Sequence, residues 1–271
     1  MNKGVTRAGA WHACLALATA VGLVAMGVAA CDVRSPSGAS TAGAAASVPA
    51  GGSGSRGSAP ATAGGSAGAT TSMVTAQKAV SLHGALVVRK APSVAAASAV
   101  RLPATTPLGS PRVLLVDQVI PGWVRVALPT RPNGGSGWLA ASAVRIETVR
   151  DLITVDLSAR RMTAFLDGRQ VASGPVGVGS TTNPTPTGRF FVTDRVQPAD
   201  PHGPYGGFAL GLSAHSTTLS EFGSGDGQVG IHGTNSPGSV GQAVSHGCIR
   251  VPADATAVLA RVSLGTPVII R

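Results

Sequence analysis

Two histidines, one cysteine and one arginine fall within nineteen residues, as Ile231-His232-Gly233-Thr234 and, beyond a Gly/Ser/Asn-rich stretch, Ser245-His246-Gly247-Cys248-Ile249-Arg250. A thiol is a good nucleophile only once ionised, and its unperturbed pKa lies near 8.5. Chemistry at Cys248 therefore calls for a neighbouring base and positive surroundings, which His232, His246 and Arg250 can supply. Gly233 and Gly247 would let the backbone approach a substrate closely, and amides around Gly247 and Cys248 can point at a developing oxyanion. His232, His246 and Cys248 are also acceptable zinc ligands, and three ligands plus water make a hydrolytic site. No carboxylate that would orient those histidines is evident, which weighs against the metal. Singly, His232 reads as a core histidine, Ser245 as a turn former and Arg250 as a solvated strand-end charge; their joint spacing argues for chemistry. His83, His202 and His215 belong to no such constellation and read as structural.

Composition says where such a thiol would work. The 271 residues carry 21 Lys and Arg against 11 Asp and Glu, and no tract of clustered basic residues interleaved with aromatics, so nucleic acid is not an expected partner. Residues 1–30 read as an export signal: Lys3 and Arg7 precede an apolar run from Ala13 to Ala30. Val28-Ala29-Ala30-Cys31 resembles the lipobox of bacterial lipoproteins, in which the signal is cut before the cysteine and that sulfur carries a lipid. Cys14 lies in the leader and Cys31 ends it, so Cys248 stands alone in the body without a disulfide partner. From Ser35 to Ser72 every residue except Val48 and Arg56 is Ala, Gly, Ser, Thr or Pro, and residues 31–73 read as a disordered tether.

Short alternating runs fill the rest. Leu86–Arg89, Val113–Val116, Trp123–Val126 and Gly137–Leu139 read as closely spaced strands over residues 74–147, with Trp123 and Trp138 expected in a small core. This segment resembles a bacterial SH3-like domain through Gly122-Trp123-Val124-Arg125-Val126 and Gly137-Trp138-Leu139, a module that binds wall polymer or spaces a catalytic domain. Over residues 148–271, Ile153, Val155 and Leu157 alternate with polar residues, Met162–Leu166 complete a hairpin, and Asp167-Gly168 turns the chain. A helix is predicted over Pro252–Val262, ended by Gly265, with a last strand at Pro267–Ile270.

Three elements together resemble the catalytic signature of the L,D-transpeptidases, or YkuD-type domains: the upstream His232-Gly233, the Ser245–Arg250 core, and Thr185-Pro186-Thr187-Gly188-Arg189-Phe190. The similarity runs from about Asp151 to Arg271, with a short loop between His232 and Ser245. The implied fold is mostly β, a small SH3-like barrel followed by a YkuD-type mixed β-sandwich domain with one C-terminal helix. The implied activity is acyl transfer on peptidoglycan: Cys248 attacks a stem tetrapeptide, expels its terminal D-amino acid and forms a thioester that an amine of a neighbouring stem resolves. By the same resemblance His232 is the base and the Gly233 carbonyl orients it, while amides of His246, Gly247 and Cys248 form the oxyanion hole. Arg250 braces the loop or meets a substrate carboxylate, with Ser245 and Tyr205 expected at the substrate; Tyr205 and Phe208 belong to a glycine-rich approach loop. No metal or cofactor is required, and carbapenems are expected to acylate Cys248. The expected place of action is the cell wall, from a lipid anchor at Cys31 on the outer face of the membrane.

Three other functions fit parts of this pattern. Water as acceptor would make the chain an L,D-carboxypeptidase. A sortase also orders His, Cys and Arg, but with His and Cys much farther apart and the arginine well after the cysteine. A wall-binding lipoprotein with an inert thiol is the non-enzymatic alternative.

Overall fold

Successive side chains of a pleated strand point to opposite faces, so alternating sequences make strands whose apolar face needs a core. In the computed structural model, which describes residues 75–222 and 225–271, the first such strands are β1 (Ala76–Ser81), β2 (Leu86–Arg89), β3 (Ser98–Leu102), β4 (Val113–Ile120), β5 (Trp123–Ala127), β6 (Ser136–Ala140) and β7 (Val144–Val149). They form an antiparallel sheet in the order β3-β2-β6-β5-β4-β1-β7. Leu86, Val88, Leu114, Val124, Val126 and Leu139 fill its inner face. Trp123 and Trp138 are not part of that core: the parity that buries Val124 and Leu139 turns both indoles to the outer face, partly exposed. The export signal, Cys31 and the tether lie outside the described residues.

Two residues separate β7 from β8 (Leu152–Asp156), which opens a second set of strands: β9 (Arg161–Leu166), β10 (Arg169–Pro175), β11 (Val178–Gly179), β12 (Gly188–Val196), β13 (Ala209–His215), β14 (Gln228–His232), β15 (Ala243–Ser245) and β16 (Ile249–Arg250). The helix α1 (Ala253–Leu259) and the strand β17 (Pro267–Ile270) follow. The turn at Asp167 and Gly168 takes positive φ at both residues, 48° and 76°, which suits the twist of the β9–β10 hairpin. An eight-stranded mixed sheet runs β10-β9-β8-β17-β12-β13-β14-β16, and β11 pairs separately with β15. The two layers of the expected sandwich are one continuous sheet because β12 serves both halves. Gly188–Phe191 pair with β17, and from Val192 onward, across a bulge between Val192 and Asp194, the strand pairs with β13. A bulge bends a strand, and α1 touches both β10 at one end of the order and β13 near the other, so the sheet curls about the helix.

The helix is shorter than the predicted Pro252–Val262. Pro252 is its N-cap residue and the regular turns end at Leu259. Arg261 and Val262 then donate to the carbonyls of Val258 and Leu259, a tighter i to i+3 pattern that closes the last turn. Leu259 and Val262 are nonetheless both fully buried, so the apolar face extends past the helical hydrogen bonds.

β12 also ties the two cores together. Phe190 packs with Ile231, Ile249 and Leu259, whereas its neighbour Phe191 points the opposite way and is fully buried among Leu114, Leu115 and Val126 of the first sheet. Arg189 pairs with Asp117 of β4 at 2.7 Å beside it. Phe191→Ala is expected to destabilise the protein by about 3–5 kcal/mol, the usual range for a phenylalanine cavity. Calorimetry should show a single transition moving down; two transitions with only one displaced would mean that the cores unfold independently.

Candidate active site

The parallel pairing of β14 with β16 sets Ile231 opposite Ile249 and His232 opposite Arg250. Both isoleucines are fully buried in the core. Strand parity therefore sends Gly230, His232, Cys248 and Arg250 to the other face, where they meet at one end of the curled sheet. The Val251 amide donates to the His232 carbonyl at 2.9 Å, and Arg250 exchanges two backbone hydrogen bonds with Gly177, each 2.8 Å, so β16 is held on both edges. The Gly230 amide points at the Cys248 sulfur, 3.4 Å away.

His232 is 5% exposed, and its Nδ1 lies 2.5 Å from the Gly233 carbonyl oxygen. A carbonyl only accepts, so Nδ1 carries the proton and Nε2 keeps the free lone pair. Burial lowers the His232 pKa, the Gly233 hydrogen bond opposes this, and the Arg250 charge adds to the lowering. For Cys248, burial raises the thiol pKa against the weaker effects of the Gly230 amide and Arg250. Both shifts favour the uncharged forms, a thiol and a neutral imidazole, over an ion pair.

The turn that presents Cys248 is built by hydroxyls. Ser245 is 2% exposed; its Oγ donates to the Cys248 carbonyl at 2.6 Å and accepts from the Gly247 amide at 3.1 Å. Thr185, from the Thr-Pro-Thr-Gly segment, donates to the Gly247 carbonyl at 2.9 Å and accepts from the Gly179 amide at 2.8 Å. Gly247 has φ of +118°, a conformation that a side chain rarely tolerates. Ser245 braces the turn through these backbone groups and also lines the cavity over the sulfur. The Gly247 amide is likewise engaged, so of the three expected oxyanion donors only the N–H groups of His246 and Cys248 have no hydrogen-bond partner among the described residues.

A cavity of about 160 Å³ opens over the sulfur, lined among others by Tyr205, Leu219, Phe222, His232, Cys248 and Arg250. Tyr205 sets its ring edge-on to His232, centroids 5.0 Å apart at 68°. A methyl group on Gly206 would come within 2.8 Å of the Gly233 Cα, so glycine at both positions lets the 203–207 loop lie directly on the end of β14. Phe208 does not line the cavity; it packs against the core, with the Arg195 guanidinium 5.9 Å from its ring centre. Phe222, 46% exposed, covers His246 from the other wall with ring centres 5.1 Å apart. Arg250 enters none of the ion pairs among the described residues, which leaves its charge available to the cavity. No group of three His, Cys, Asp or Glu side chains converges to hold a metal ion among the described residues. His215 is structural: it is 5% exposed and its Nε2 lies 3.1 Å from Asp226. Sequence pattern did not reveal Gly230, Leu219 or Phe222, none of which sits in a motif.

A thiol sharing a cavity with a base that keeps one free nitrogen, two unpaired amides and a free guanidinium can support attack on an acyl carbon. The comparisons give the family and, through it, the class, a peptidoglycan-modifying acyltransferase domain. Residues 150–270 match the model of the YkuD L,D-transpeptidase catalytic domain, and the chain belongs to that family. It is 34% identical over 130 residues to the Bacillus subtilis protein YkuD, named as an L,D-transpeptidase, covering 46% of this chain and 71% of that protein. A Bacillus licheniformis protein of the same name is 38% identical over 105 residues, 39% of this chain and 55% of the relative. Among solved structures, the catalytic domain of the E. faecium L,D-transpeptidase is 26% identical, covers 45% of this chain and 96% of its own, and superposes with a TM-score of 0.33.

Proposed function

We propose that this chain is a peptidoglycan L,D-transpeptidase with Cys248 as nucleophile and His232 as general base. Sulfur attacks the carbonyl carbon of the bond before the terminal D-amino acid of a stem tetrapeptide, and Nε2 of His232 accepts the thiol proton. The amides of His246 and Cys248 receive the negative charge on oxygen. Collapse breaks the peptide bond, His232 returns the proton to the departing amine, and a thioester remains. An amine of a neighbouring stem then attacks the thioester, its proton passes to His232, and the thiol leaves to be reprotonated. Arg250 meets a substrate carboxylate, and Tyr205 flanks the approach to His232.

The observation that carries this reading is the commitment of the His232 Nδ1 to the Gly233 carbonyl, which leaves the opposite nitrogen as a base in the same cavity as the lone thiol. Purified protein given disaccharide tetrapeptide is expected to yield covalent dimers with release of the terminal D-amino acid. Tripeptide as the sole product would instead make the enzyme an L,D-carboxypeptidase. The seven-stranded sheet is proposed as an SH3-like module, and export with a lipid on Cys31 is proposed from Val28-Ala29-Ala30-Cys31. Lipid-precursor labelling of the mature protein tests that anchor independently of the enzyme.

A further inference from the structure

The wall of the cleft opposite Tyr205 is held from outside the catalytic part of the chain. Arg131 lies between β5 and β6 of the first sheet. Its guanidinium donates to three backbone carbonyls of the segment after β13: Ser216, Leu219 at 2.7 Å and Asp226 at 2.8 Å. Asn133, two residues on, donates its amide to the His215 carbonyl at 2.8 Å and accepts from the His215 N–H at 2.9 Å, as a neighbouring strand would. Carbonyls clustered about one side-chain cation repel one another without it, and the rigid planar fork of a guanidinium holds several of them in a fixed geometry that a flexible ammonium does not. Gly227 is shaped to admit that fork: at φ of +75° it carries no side chain, and a methyl group there would stand 2.7 Å from the Arg131 Nη2 and 2.5 Å from the Leu219 oxygen.

The segment so gripped is the one that shapes the site. Ser216, Leu219, Phe222 and Gly227 all line the cavity over Cys248, and Phe222 is the residue packed on His246, whose amide is one of the two free donors beside the sulfur. We infer that Arg131 is a positioning residue: through the backbone of Ser216, Leu219 and Asp226 it fixes Phe222 against His246 and so sets the substrate wall, making the first sheet a working part of the catalytic cleft. The inference rests on the transpeptidase reading for its kinetic arm but not for its structural one.

The full chain is compared with Arg131→Ala, Arg131→Lys and Gly227→Ala, with Arg125→Ala on the same sheet as control. Hydrogen exchange read by mass spectrometry is expected to speed up by about tenfold or more over 216–227 and over the 243–250 turn in Arg131→Ala, with the sheet interiors unchanged. Gly227→Ala keeps the arginine but obstructs its seat and should show the same signature, whereas Arg131→Lys, which cannot fork, should restore only part of the protection. In the tetrapeptide assay KM is expected to rise about tenfold with kcat within about twofold, the mark of lost substrate binding rather than lost folded enzyme. Unchanged exchange over 216–227 in both Arg131→Ala and Gly227→Ala overturns the inference whether or not the protein turns over tetrapeptide. A fall in kcat at constant KM with exchange unchanged over both segments would also overturn it, since that reports fewer active molecules. Absence of turnover in every form, wild type included, would count against the transpeptidase reading and leave the exchange result to decide this one.

Discussion

Cys248→Ala is expected to abolish dimer formation from tetrapeptide, a loss of about 10⁴-fold or more, because Cys248 is the one thiol lining the cavity and the hydroxyls there are far weaker nucleophiles. The remaining machinery, His232 and the two free amides, can still bind substrate and polarise its carbonyl. Substrate affinity should therefore survive while turnover does not. The test has a covalent readout as well. Wild-type protein exposed to a carbapenem should gain the mass of one adduct and Cys248→Ala none; an adduct persisting in the variant, or no adduct on the wild type, would place the nucleophile elsewhere. Ser245 holds the Cys248 carbonyl, not its sulfur, so the exchange of sulfur for hydrogen leaves the turn's hydrogen bonds in place.

His232→Ala is expected to lower the acylation rate at pH 7 by about 10²–10⁴-fold, the span typical for a positioned general base. The pKa directions make the pH dependence the sharper test. His232 is active as a base only when neutral, and its pKa is depressed by burial and by Arg250. A depressed pKa keeps the imidazole deprotonated to lower pH, so the acid limb of the wild-type profile should fall below the ordinary histidine value of about 6.5. The thiol pKa is raised by burial, so thiolate is scarce at neutrality and the wild-type rate should be flat there, with the proton leaving during attack. Without His232, reaction must await thiolate. The variant's rate should then climb tenfold per pH unit through the neutral range and approach wild type only in strongly alkaline solution. A wild-type profile that itself climbed with thiolate through pH 7–9 would refute a neutral resting pair.

Much of the site was legible because its signals are local. The two histidines, the lone cysteine and the arginine stand within nineteen residues, close enough for their types and spacing to be read directly. The glycines at 233 and 247 likewise mark a close approach and a positive φ that follow from the absence of a side chain. The Asp167-Gly168 turn, β2, β9 and β17 came from the same short-range rules. Those rules misplaced Trp123 and Trp138, since periodicity identifies a strand's two faces without saying which one an aromatic occupies. They also ran the helix on to Val262, because the apolar spacing continues through the tight turn that follows α1.

What the residues supply among themselves, then, is the candidate chemistry: a lone thiol, its neighbouring histidines and arginine, and strands with one apolar face, all encoded within a few positions of one another. Their division of labour came from folding. Ser245 and Thr185 became braces, the Gly247 amide was engaged by Ser245, Phe222 came to line the cleft and Gly230 turned its amide to the sulfur, each through a partner set by chain pairing rather than by spacing. Arg131 is the extreme case, reaching the Ser216 carbonyl across 85 positions. Such a contact leaves no period or motif behind, because hydrogen bonds between distant segments depend on which strands lie side by side, a choice made by burial of the whole core.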